Sequence, residues 1–287
     1  MLGRNSDNDC GIVLISDTTP EDAAPWTARG AAEALTWVQA LDRMSRAEVL
    51  CLGELHDRAD IHLWQRDVIE GLLPFRSEIV VGLEMLPRAA QGALDGWTSG
   101  VLGFDAVLKA VDWSGVWGFD PALYAPIFNL ARDRGLRLRA LNVPRDLVRR
   151  VGRDGWGGVP VVAREGLSLP APASVPYRRR LFEMTGGARP ERAARSPHDP
   201  AFDRFVRAQL VWDRAFAEGL AEARRLSGAP LVVGLIGRGH LEHGLGVPEQ
   251  LAALGLGGVQ VALTVDPDEP APEADLADLL CRLRSPD

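Results

Sequence analysis

The sequence predicts an α/β fold, a mainly parallel sheet flanked by helices. Three observations carry that prediction. Unbroken apolar runs at residues 49–52 (V-L-C-L), 79–83 (I-V-V-G-L) and 231–236 (L-V-V-G-L-I) are too short for helices and read as strands buried on both faces. Stretches of helical period separate the runs, which implies right-handed crossovers between parallel strands. A chemistry-bearing residue follows each run: Glu54 and His56, then Glu84, then His240. In parallel sheets the strand carboxyl ends share one edge, and ligands bind in the crevice outside it.

Composition bounds the rest. A chain of 287 residues, 46% hydrophobic and 25% charged, suits one large α/β domain, expected over residues 29–287 after a poorly ordered, Pro-interrupted lead-in at 1–28. A net charge of -7 excludes a nucleic-acid partner, since such binding draws on Lys and Arg neutralising phosphates. The three cysteines, Cys10, Cys51 and Cys281, are odd in number and far apart, so neither a disulfide framework nor a Cys-based zinc site is implied. The first residues lack the basic start and apolar core of a signal peptide, and no run approaches the ~18 apolar residues of a membrane span. A cytoplasmic protein is the expectation.

Taken in order, residues 35–44 form a short amphipathic helix, and the first strand then turns at Gly53 into Glu54, His56 and Asp57. Asp57 and Asp60 also suit a helix N-terminus, where an acid meets the positive end of the dipole. A helix over 60–73 buries Ile61, Trp64, Val68, Ile69 and Leu72, with His62 in its first turn off that stripe, and Pro74 stops it. Helices follow at 87–97 and 104–111. Residues 112–121 form a Gly-rich loop whose Trp113 and Trp117 serve as core anchors. A helix over 121–134 opens on Pro121 and is capped by Gly135. The strand at 136–141 alternates with arginine, which places it near an edge, and ends at Asn142.

From about 152 to 200 the chain turns rich in Pro, Gly and Arg, which reads as an inserted subdomain, helical only near 177–184 and otherwise irregular. Its arginines, among them Arg178, Arg179, Arg180, Arg189, Arg192 and Arg195, form a basic stretch in an acidic chain. A long helix at 201–226 leaves Gln209, Asp213 and Arg214 off its apolar stripe. The strand at 231–236 runs into G-R-G-H, which repeats the G-x-x-H spacing of Gly53 to His56. A helix at 249–254, a strand at 259–264 and a short last helix complete the chain.

Glu54, His56, Glu84, Asn142 and His240 therefore converge on one sheet edge. Two imidazoles and two carboxylates, His56, His240, Glu54 and Glu84, can bind a divalent metal such as Zn, Mn or Co, or act without metal as a general base with an orienting acid. A buried His-Glu pair holding loops together is the structural alternative. G-x-S-x-G, P-loop, H-E-x-x-H and dinucleotide G-x-G-x-x-G motifs are absent.

The ordered set G-E-L-H-D with His62, G-L-E-M, L-N-V-P-R-D-L-V, A-Q-L-V-W-D-R and G-R-G-H, spread over residues 30–265, resembles ChaN-type haem-binding uptake proteins of the Tiki/TraB/erythromycin-esterase-like superfamily. The resemblance implies an α/β fold, haem bound by a homodimer that can use a tyrosine iron ligand, and a role in iron acquisition. In the hydrolytic branches it implies a metal-dependent esterase or protease, with Glu54, His56, Glu84 and His240 as catalytic residues. Binding protein and enzyme both remain open. Of the two tyrosines, Tyr124 reads as a core residue and Tyr177, beside the arginine run, as the haem ligand. Arg178 would pair with a propionate and His62 would also contact the cofactor.

Overall fold

The computed structural model describes residues 26–31, 33–186 and 194–283. Seven strands form one sheet in the order β1-β7-β6-β2-β5-β3-β4. β2 (Val49–Glu54) lies at its centre between β5 (Leu231–Gly237) and β6 (Val259–Val265); β3 (Ile79–Pro87) and β4 (Arg137–Asn142) follow on one side, β7 (Leu279–Arg282) and β1 (Trp26–Ala28) on the other. Every pairing is parallel except β1 with β7. β4, with its alternating arginines, is an edge strand as its sequence implies.

Alternate residues of the apolar runs face opposite layers. Leu50, Leu52, Val81, Leu83, Val233 and Leu235 meet helices α2 (Ala59–Leu72), α3 (Gln91–Thr98) and α6 (Ala125–Asp133). Val49, Cys51, Val80, Val232 and Ile236 meet α7 (Arg145–Asp154), α9 (Asp203–Arg224) and α10 (Val247–Ala253) on the other face. The long helix lies close to the sheet because two glycines pair beneath it. Gly82 and Gly234 are opposite one another, and β-carbons there would come within 2.8 and 3.1 Å of Leu220 Cδ2.

Several boundaries differ from expectation for local reasons. α1 spans Trp37–Ser45, because Thr36 caps it in a reciprocal box with Gln39. The regions at 87 and 121 open as single 3-10 turns before α3 and α6. α4 covers Phe104–Ala110, and the expected loop after it contains one turn of helix, α5 (Trp113–Val116). α7 has no counterpart in the sequence reading, although Leu147, Val148 and Val151 give it an apolar face. The region at 152–200 holds α8 (Val175–Thr185) and packs through Tyr177 and Leu181 against Phe202, in the turn before α9, and Val206, in its first turn. Arg189 and Arg192 lie outside the described residues.

Both chain ends depart from the reading. Cys10 and the lead-in up to residue 25 lie outside the described residues, but Trp26, Thr27 and Ala28 form β1. The expected last helix is the strand β7, since its residues complete the edge of β6 and tertiary pairing overrides local pattern. Among the described residues no helix is long and apolar enough to cross a membrane.

Trp26 anchors this terminal pair. Its ring is fully buried, with Trp37 and Trp64 each at 6.0 Å. Trp26→Ala should lower stability in urea unfolding by about 3–5 kcal/mol, the usual range for emptying a buried aromatic site. A loss under about 1 kcal/mol would mean that β1 is not part of the cooperative fold.

Candidate functional site

Parallel pairing sets the carboxyl ends of β2, β5, β3 and β4 side by side, and a cleft of ≈740 Å³ opens there. His56, Glu84, Asn142 and His240 line it, with Trp117, Phe119, Val143 and Trp212 as apolar walls and Arg145 and Arg149 at its helical side. Glu54 lies behind His56, buried. The volume lies within the range of small-molecule sites.

Each imidazole is held by a buried carboxylate. His56 Nδ1 donates to Glu54 Oε1 at 2.8 Å, and the Tyr124 hydroxyl donates to the same oxygen at 2.8 Å. Gln65 Nε2 donates to Glu54 Oε2 at 3.3 Å and to the Leu52 carbonyl at 3.1 Å. Across the cleft, His240 Nδ1 donates to Asp213 Oδ1 at 2.6 Å, and the Tyr177 hydroxyl donates to Asp213 Oδ2 at 2.7 Å. The two halves thus repeat one arrangement, tyrosine to carboxylate to histidine. Both Nδ1 atoms are occupied, so only Nε2 of each ring is free toward a ligand.

Glu84 belongs to both halves. β3 runs on to Pro87, past the expected strand end, and its register shifts between Leu83 and Pro87, where Glu84 turns toward the cleft. Its Oε2 accepts the Gly237 N–H, while Asn142 Nδ2 donates to its carbonyl at 2.7 Å. A β-carbon at Gly237 would stand 2.9 Å from His56 Cε1 and 3.4 Å from Glu84 Oε2, so β5 passes beneath the imidazole only because that residue is glycine.

Electrostatics couple the three. Burial would lower His56, but the Glu54 hydrogen bond and the charges of Glu84 and Glu54 outweigh it and raise its pKa above 6.5. Burial likewise opposes, and Asp213 overcomes, a rise at His240. Burial pushes Glu84 above the usual carboxylate range against the pull of His240 and His56. Both phenols are driven well above their ordinary value, by burial first and then by Glu54 at Tyr124 and Asp213 at Tyr177.

Tyr177, Arg178 and His62, also singled out in the sequence, stand away from the cleft wall. Tyr177 is 1% exposed and bonded to Asp213, so it presents no phenolate to a ligand. Arg178 is engaged with Asp203 and the Pro197 carbonyl. His62 is buried beneath the turn, with Nε2 donating to the His56 carbonyl at 3.2 Å and Nδ1 3.1 Å from Gln65 Oε1. Trp117 is a cleft wall rather than a core anchor alone, and its Nε1 donates to the Tyr124 hydroxyl at 3.1 Å. His56, His240, Glu54 and Glu84 do not form a compact ligand group. The described group whose ligand atoms lie within 4.8 Å of one another is His243, Glu273 and Asp275, at the surface. Sequence reading missed the roles of Asp213 and Tyr124; the polar Asp213 off the apolar stripe of a long helix was the one available signal.

A family model for haem-binding uptake proteins of the Tiki superfamily, ChaN, matches residues 40–251. Among solved structures, ChaN of Campylobacter jejuni, described with cofacial haem binding, is 18% identical with a TM-score of 0.69, over 91% of this chain and 96% of that one. The type III effector HopBA1 is 12% identical with a TM-score of 0.50, over 92% and 98%. An erythromycin esterase mutant, EreC in its open conformation, is 13% identical with a TM-score of 0.47, over 82% and 76%. No curated protein is a match.

The Asp213 pairing sets the titration of His240. Asp213→Asn should lower the His240 pKa, since burial is then opposed by the charge of Glu84 without that of Asp213, and histidine NMR reads the change directly. The folded-state value lies above the free one, so the dyad stabilises the fold fully below about pH 6.5 and loses that contribution as pH rises through the raised value. The variant should lack this part of the pH dependence. An unshifted His240 resonance would remove Asp213 as its cause.

Proposed function

Because the chain belongs to the ChaN-type haem-binding uptake family of the Tiki superfamily, we propose that it binds haem in the cleft between His56 and His240, in the service of iron or haem handling. The observation that carries this reading is the pair of imidazoles facing one aromatic-walled cleft, each with Nδ1 fixed by a carboxylate. A carboxylate on the distal nitrogen orients a ligating imidazole and raises its basicity. The residues present fit the group: Trp117, Phe119, Val143 and Trp212 offer apolar surface to a macrocycle, and Arg145 and Arg149 suit its propionates. Bound haem would supply a redox-active iron that accepts nitrogen ligands, and His56 and His240 are the residues that would hold it. The chain has only two tyrosines and both phenols are buried, so histidine replaces the tyrosine ligand that the sequence resemblance implies. A homodimer is part of the same reading.

Glu84 supports a second reading, hydrolysis. A buried carboxylate raised in pKa and set between two carboxylate-backed imidazoles can hold a proton while His56 or His240 takes one from a water. A divalent metal such as Mn, Co or Zn would have to draw on the Nε2 atoms and Glu84, since both Nδ1 atoms are occupied, and in this structure those three groups stand too far apart to share one ion.

Haem titration separates the readings. The protein should develop a Soret band that changes position in His56→Ala or His240→Ala and is unchanged in Tyr177→Phe. Asp213→Asn or Glu54→Gln should weaken haem binding about 10–100-fold, the usual effect of removing such an orienting group. Binding should also weaken as pH falls below the raised histidine values, because an imidazolium cannot ligate iron. Spectra unchanged in both His56→Ala and His240→Ala would overturn haem ligation by the cleft. Turnover of an ester or peptide panel that is lost in Glu84→Gln would favour hydrolysis.

A further inference from the structure

The cleft does not end at Trp212. A second depression of ≈650 Å³ continues between α7 and α9, and Val148, Arg149, Gln209 and Trp212 belong to both. Phe205, Ala208 and Gly152 make the walls of this trough apolar, and among the described residues no carboxylate lines it. Arg204 belongs to the trough alone, is exposed, and has no ion-pair partner among the described residues. The acids of these helices nearest the trough have other ion-pair partners: Asp146 with Arg150, Asp154 with Arg153, and Asp203 with Arg178, although Asp154 also feels the charge of Arg204. In an acidic protein, an unpaired guanidinium above an apolar trough favours an amphiphilic anion.

We propose that the trough binds a long-chain carboxylate, with its head paired to Arg204 and its hydrocarbon tail lying along α9 toward the cleft. Arg204, Ala208 and Trp212 are spaced i, i+4, i+8 and share one face of the helix, spanning about 12 Å. Phe205 widens that face, and Arg149 adds positive charge at the junction with the cleft. The head group is a carboxylate and not a phosphate because the N-terminal turn of α9, which would otherwise favour a phosphate, already carries Asp203, and Asp199 takes the Ala201 N–H. One guanidinium fork matches one carboxylate bidentately. The head-group contact stands independently of haem binding, since Arg204 and Ala208 are outside the cleft, while Arg149 and Trp212 are shared with it.

Calorimetric titration of the full chain with octanoate, decanoate and dodecanoate tests it, with dodecyl phosphate and dodecyltrimethylammonium as comparisons. Dodecanoate should bind, and each added pair of methylenes should tighten binding by up to about 15-fold, the value for full burial, until the trough is filled. Arg204→Glu should weaken dodecanoate at least about tenfold, Arg204→Lys should retain most of the affinity, and Ala208→Trp should abolish binding. Circular dichroism establishes that each variant is folded. Affinity independent of chain length, equal binding of the cationic amphiphile, or an unchanged folded Arg204→Glu variant would overturn the site. Tighter binding of dodecyl phosphate than of dodecanoate would overturn the carboxylate assignment.

Discussion

Two buried carboxylates, Glu54 and Asp213, hold the functional edge of this molecule together. Neither is exposed to water, and a buried charge without partners is strongly destabilising. Each is therefore satisfied by a histidine on the cleft side and a tyrosine on the core side. These contacts tie distant parts of the chain: Tyr124 reaches the centre of the sheet from the start of α6, and Tyr177 reaches α9 from α8. The same atoms that satisfy the buried charges also fix the histidine tautomers. Stability and ligand presentation at this edge are thus one set of hydrogen bonds, and a change to either carboxylate alters both.

Much of this was legible in the sequence because the sheet is parallel. Apolar runs buried on both faces mark strands directly, and parallel connectivity leaves little freedom in where their carboxyl ends lie, so His56, Glu84 and His240 could be placed together before any coordinates. The resemblance to ChaN-type proteins extended that reading to the fold family. The partners of the histidines were not legible in the same way. Tyr124 lies 70 residues from Glu54 and reads as an ordinary core aromatic; Asp213 lies 27 residues before His240 on a helix whose polar residues could all face solvent. Nothing in local pattern distinguishes a buried, paired polar residue from an exposed one.

The misplaced elements share a different cause. α7 was missed because arginines dominate its sequence and its few apolar residues follow a proline, whereas in the fold those residues close the second layer against α9. The last strand looked helical because its residues alone carry too few positions to reveal a period of two, and its identity comes from the open edge of β6 that it fills. Tyr177 drew attention through its neighbouring arginines. Two of those arginines instead clamp α8 to the chain around it, Arg178 to Asp203 and Arg180 to Glu242.

The pairing of β1 with β7 brings the two described ends of the chain into register, Trp26 opposite Cys281. It does so at the edge of the sheet farthest from β3 and β4, beyond β6 and away from the cleft. Between those described residues the path is close to a closed ring. A circularly permuted form of residues 26–283, joined across this seam and opened in an exposed loop, would carry the same sheet order and the same facing histidines.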